Sequence, residues 1–120
     1  MINLTTLLGQ SCKPTTTGIS HDDLAACLKS LPAWLQEGQK ISRSFAFRNY
    51  YETLAFVNAI AYVIHAQDHH PELLVTYNKC VVRFDTHTVN DGKGGLSIND
   101  FICAAKVDAI FTQAHDGAGN

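Results

Sequence analysis

A chain of 120 residues is one domain with room for a sizeable core. Its 46% apolar and 17% charged content is that of a globular protein and excludes a disordered chain. A formal net charge of −2, with no local concentration of Lys or Arg, leaves no electrostatic footprint for nucleic acid.

Residues 1–19 lack periodicity and carry Pro14, Thr15, Thr16, Thr17 and Gly18, which predicts an irregular leader ahead of a single domain at 20–114. Ser20 followed by Asp23 marks the first helix start. The short side chain can accept from a free N–H there, and the acid sits at the positive end of the dipole. Pro32 ends that helix near Leu31, because a residue before proline is pushed out of helical geometry. Trp34-Leu35-Gln36 runs into a turn at Glu37-Gly38, after which Ile41, Phe45 and Phe47 alternate with polar neighbours as a strand.

Asn49 with Glu52 opens the second and longest helix, about 49–67. Tyr50, Leu54, Val57, Ala61 and Ile64 form one apolar stripe, and Phe56, Ile60 and Val63 form a second beside it. A helix so widely apolar has two faces to bury, and in a small domain the second is most simply covered by another subunit; a deeply buried central helix is the alternative. Residues 73–77 and 80–88 read as a hairpin turning at Asn78-Lys79. Cys80, Val82, Phe84 and Thr86 share one face of its second strand, and Arg83, Asp85 and His87 share the other. Gly92-Lys93-Gly94-Gly95 lacks the phosphate-loop frame and reads as a flexible connection. Ser97 with Asp100 starts the third helix, Asp100 serving as its capping acid, and 115–120 reads as a frayed tail. Helix, two strands, helix, two strands, helix predicts an α+β domain: a four-stranded antiparallel sheet with three helices packed on one face.

Cys12, Cys27, Cys80 and Cys103 make no C-x-x-C pair, and no Lys or Arg precedes Lys13 to form a signal-peptide start. The expected setting is the cytoplasm, with reduced thiols and no membrane partner.

The chemistry concentrates in histidines: His69 and His70, within Asp68-His69-His70-Pro71-Glu72, and His87. Imidazole is the side chain that gives or takes a proton near neutral pH. His69-His70 falls where the second helix must end, since Pro71 cannot continue it, and the helix C-terminus favours the protonated ring. Strand alternation puts His87 on the polar face, so the three are expected around one pocket at the end of the sheet. Three readings stay open from the residues alone. The histidines are acid–base groups; or His65, His69, His70 and His87 ligate a metal, His65 and His69 being spaced for one helical face; or they are unconnected surface residues. No HExxH or CxxC frame supports the metal.

Asp68-His69-His70-Pro71-Glu72, Tyr77-Asn78-Lys79, Thr86-His87, Gly94-Gly95-Leu96-Ser97 and Asp100 together resemble the pterin-4a-carbinolamine dehydratases, from about residue 20 to Ala109. The resemblance implies the same sheet with three helices on one face, assembled as a homodimer or homotetramer. It implies dehydration of 4a-hydroxytetrahydropterin to the quinonoid dihydropterin, linked to an aromatic amino acid hydroxylase, with no metal and no organic cofactor. By that resemblance His69, His70 and His87 are catalytic. His69 and His87 move protons at the 4a-hydroxyl and the ring nitrogen, and His70 binds and orients the pterin. Asp68, Pro71, Asp85, Thr86 and Thr88 flank them as substrate contacts. His65 replaces an acid common in the family, and Leu73 stands where animal members carry Trp. Some proteins of this fold act instead as dimerisation or assembly partners, which is the alternative reading.

Overall fold

The Ser20 and Asn49 caps form as their side chains demand, accepting from the backbone N–H of Asp23 at 3.2 Å and of Glu52 at 3.0 Å. They start helices at His21–Ser30 and Tyr50–Gln67 in a computed structural model that describes residues 1–118, with side chains through Gln113. In chain order the elements are α1 (Leu4–Gly9), α2 (His21–Ser30), β1 (Leu35–Glu37), β2 (Lys40–Ala46), α3 (Tyr50–Gln67), β3 (Glu72–Val75), β4 (Lys79–Phe84) and α4 (Ile98–Ala118). The strands form one antiparallel sheet in the order β1-β2-β4-β3. The chain is α+β, as expected.

Register aligns the apolar residues of neighbouring strands on one face. Ile41 stands opposite Phe84, Phe45 opposite Cys80, and Leu73 opposite Val82. Onto that face pack α3 and α4. The inward side of α3 is Thr53, Phe56 and Ile60, flanked by the partly buried Val57 and Ile64. The two expected stripes therefore divide differently. Members of both make one inward band, while Tyr50 and Leu54 face out and Tyr51 and Tyr62 stand 82% and 83% exposed. The helix buried around its circumference is α4, where Phe101, Ile102, Cys103, Ala104 and Ala105 are all enclosed.

What encloses α4 corrects the reading of 1–19. Asn3 and Thr6 form a reciprocal capping box that starts α1, and Leu7 is fully buried against the core. Six residues are too few for a periodic signal, so the segment reads as irregular although it covers the outer side of α4. Lys106 also donates to the Leu8 carbonyl at 2.8 Å. Because Leu7 is fully enclosed, Leu7→Ala is expected to cost about 2–5 kcal/mol, read as a lower urea midpoint at unchanged slope.

Three further expectations are corrected. The third helix runs through Ala118, so the tail expected at 115–120 is helical that far; Gly119 and Asn120 lie outside the described residues. The hairpin turns one residue early, with Lys79 already in β4. The strand expected to reach Thr88 stops at Phe84, and Thr86 makes only an isolated bridge to Gly95. That bridge also ties down the glycine-rich segment, through Thr86 N–H to Gly95 O at 2.7 Å and Gly95 N–H to Thr86 O at 3.1 Å. A side chain at Gly95 would press on the Asn90 amide nitrogen, 2.4 Å from the Cβ position, and displace it from the Gly94 carbonyl to which it donates at 3.0 Å. No helix among the described residues is long and apolar enough to cross a membrane.

Candidate functional site

The site begins where α3 ends. Continuing the helix would drive the Pro71 ring into the carbonyl of Gln67, the residue four before it. The chain leaves through Asp68 in the left-handed region (φ 50, ψ 42), and its N–H closes on the His65 carbonyl at 3.3 Å. This turn separates the adjacent histidines. His69 swings inward with 13% of its side chain exposed, while His70 keeps 70% exposed, 3.5 Å from an Asp68 oxygen. The His69 ring lies parallel to Phe84 at 5.8 Å, and its Nε2 donates to Asp100 Oδ1 at 2.6 Å.

Asp100 is fully buried in the first turn of α4. Its second oxygen accepts from the Ser97 N–H at 2.9 Å and from the Thr86 hydroxyl at 3.0 Å. The Ser97 hydroxyl in turn donates to Thr86 at 2.7 Å and accepts from the Asn99 N–H at 3.2 Å. Every group in this chain of hydrogen bonds has a partner, so a carboxylate can be held away from water with a defined direction. Asp100 is thus both the capping acid expected and the residue that holds His69. The second role was missed, since nothing in the order of residues joins positions 69 and 100.

Burial alone would hold His69 low, but its hydrogen bond to Asp100 and that group's charge, with smaller help from Cys12 and Asp85, raise it above the ordinary imidazole value. With Nε2 engaged, Nδ1 is the ring nitrogen left to exchange a proton with a ligand.

Asp85, Thr86, His87 and Thr88 come from the segment after β4. The inward–outward alternation outlasts the strand: Thr86 is buried like Cys80, Val82 and Phe84, while Arg83, Asp85 and His87 stay on the more open side. Arg83 approaches Glu37 at 3.6 Å and Glu72 at 3.9 Å. His87 reaches the rim from a turn, 85% exposed, its Nε2 3.5 Å from Asp85 Oδ1, while Lys40 stands 3.8 Å from the same oxygen. His69, His70, His87, Asp68, Asp85, Thr86 and Thr88 all line one cleft of about 490 Å³, a size suited to a small ligand; Pro71 does not line it. His65 is likewise outside the lining, and among the described residues no group of three or more His, Cys, Asp or Glu side chains is placed to hold a metal.

The remaining wall was not anticipated. Cys12, Lys13, Pro14 and Thr15 of the leader cross the cleft beside Asn99. The Cys12 N–H donates to Gln67 Oε1 at 2.7 Å. Asn99 brackets Lys13, accepting from its N–H at 3.2 Å and donating to its carbonyl at 2.7 Å. The Thr88 hydroxyl donates to the Thr15 carbonyl. Without periodicity, the leader gave no sign of these contacts.

With this arrangement in view, the family described as pterin 4 alpha carbinolamine dehydratase matches residues 17–110. The chain belongs to that family. A relative from Bdellovibrio bacteriovorus, provisionally named a pterin-4-alpha-carbinolamine dehydratase, is 51% identical over 110 residues, 92% of each chain. One from Stenotrophomonas maltophilia, with the same provisional name, is 55% identical over 92 residues, 75% of this chain and 76% of the relative. Among solved structures, a transcriptional coactivator/pterin dehydratase from Brucella melitensis superposes with a TM-score of 0.70 at 27% identity, covering 78% of this chain and 98% of that one. The matched residues take in β1 to β4, the cleft side chains from Ala66 to Asn99 and the Asp100 behind them, but only the end of the leader.

Proposed function

We propose that the chain dehydrates 4a-hydroxytetrahydropterin to the quinonoid dihydropterin, with His69 as acid, His87 as base and His70 orienting the ring. The single observation that carries this reading is the 2.6 Å contact between His69 and a buried Asp100, in a cleft that also takes in His70 and His87. Loss of water from the carbinolamine breaks the C4a–O bond while the N5 proton leaves and the C=N bond forms. His69, kept protonated by Asp100, delivers a proton to the departing hydroxyl. His87 takes the N5 proton and, being open to water, passes it to bulk. Asp68, Asp85, Thr86 and Thr88 offer polar contacts to the pterin edge, and Pro71 contributes through the chain turn that sets His70.

The test is direct. Purified protein mixed with freshly generated carbinolamine should speed quinonoid formation over buffer, and folded protein giving no acceleration would overturn the reading. His87→Ala is expected to lower kcat at least roughly tenfold, whereas His70→Ala should act mainly on KM.

The reading includes a cytoplasmic homodimer or homotetramer joined across the outer face of α3, with an aromatic amino acid hydroxylase supplying the substrate. An assembly partner on the same fold is the second reading, favoured by the coactivator in the name of the Brucella protein. It gives the bond between His69 and the buried Asp100 no task beyond the cap of α4, and the enzyme is preferred on that ground.

A further inference from the structure

Two thiols from distant parts of the chain meet behind the cleft. Cys12 lies in the leader and Cys103 in the second turn of α4, with their Sγ atoms 3.4 Å apart. Both are held in place. Cys12 is tied by its N–H to Gln67 and by its Sγ, 3.5 Å from the Asn99 carbonyl, while Cys103 is fully enclosed in the core. Cys12 lines the cleft and is half-buried, whereas Cys103 is fully buried and does not line it. A disulfide needs its sulfurs about 2.05 Å apart, so closing this pair takes a movement of roughly 1.4 Å, within reach of small side-chain rotations.

The other cysteines differ in kind. Burial pushes the Cys27 thiol up to about 11 and raises Cys80 as well. Cys12 is lowered, because the Cys103 S–H donates to it, against the opposing effect of burial and with help from nearby His69. Cys103 is raised by the same contact, followed by burial. One sulfur of the pair is thus favoured as thiolate and the other as thiol.

We propose that Cys12 and Cys103 are a redox-active dithiol whose co-reactant is a hydroperoxide entering through the cleft. The Cys12 thiolate attacks the O–O bond, leaving a sulfenic acid on Cys12 and releasing the other oxygen as water or alcohol. The Cys103 sulfur then attacks the sulfenic sulfur, its proton leaving with the hydroxyl as water. Two thiols are oxidised to one disulfide, and the peroxide takes up both electrons. A dithiol reductant reverses the reaction. The disulfide links the leader wall to α4, three residues beyond the Asp100 that holds His69. The site stands whether or not the chain is a dehydratase.

The test uses full-length reduced protein exposed to hydrogen peroxide, quenched by alkylation and mapped by mass spectrometry. The expected result is loss of two thiols, an intramolecular peptide linking Cys12 to Cys103, and full return with dithiothreitol. In untreated protein, Cys12 should alkylate at least roughly tenfold faster than Cys27 or Cys80. Cys103→Ser should stop at a Cys12 sulfenic acid trapped by dimedone, and Cys12→Ser should leave Cys103 reduced. Should Cys103→Ser fail to fold, Cys12→Ser at its partly exposed position carries the comparison. The proposal is overturned by four alkylatable thiols after peroxide, by prior oxidation at Cys27 or Cys80, or by a link formed only between copies.

Discussion

His69→Ala is expected to lower kcat for carbinolamine dehydration by about 10²–10⁴-fold with the fold intact, the range spanned by a positioned general acid. The side chain is small enough to lose, but its proton has no substitute at that depth in the cleft. Asp100→Asn isolates the positioning role. It keeps a side chain able to bond but removes the charge that raises His69. As the acid of the proposed mechanism, His69 acts protonated, so on that reading activity should fall as pH rises through its raised pKa. In Asp100→Asn, burial is left to dominate, and that limb should move to lower pH. Stability follows the same sign. The folded-state value lies above the ordinary 6.5, so the stabilisation is fully present below 6.5 and fades as pH rises through the folded value. A pH–rate profile unchanged by Asp100→Asn would show that the carboxylate does no more than cap α4.

Phe45→Ala is expected to be the most damaging single change to the fold, costing about 3–5 kcal/mol. Phe45 is 1% exposed and sits where the sheet, α3 and α4 meet. Its ring lies 4.7 Å from Phe56, 4.9 Å from Phe111 and 6.1 Å from Trp34, and the Arg43 guanidinium lies 4.4 Å above it. Arg43 itself donates to Asp108 at 2.8 Å, beside the Trp34 N–H at 2.9 Å, so the lost ring would also loosen an ion pair that it shields. Against a total stability of about 5–15 kcal/mol for such a domain, the change is a large fraction. Thermal or urea unfolding measures it. None of its ring partners lines the cleft, so KM at a temperature where the variant is folded should stay near that of the parent. A loss below about 1 kcal/mol would mean that the aromatic cluster repacks.

Residue order by itself determined what depends on near neighbours. The Ser20 and Asn49 caps, the extent of α3, the antiparallel strands and the end of the helix ahead of Pro71 all follow from hydrogen bonds or steric clashes within a few residues, and each is found in the structure. The polar residues expected around one pocket also line one cleft, because they sit at the ends of those same elements. Alternation places Thr86 inward and His87 outward correctly, but it overstates the strand, which ends at Phe84 before the Thr86–Gly95 bridge, and it breaks at the exposed Thr88. Only the tertiary structure decided which distant groups touch. His69 meets Asp100 across 31 residues, Cys12 meets Cys103 across 91, and Leu7 of a six-residue helix closes the core over α4. Such contacts leave no periodic trace in the chain. They exist because burying apolar surface brings distant segments together, and the polar groups carried inside must then find partners where they land.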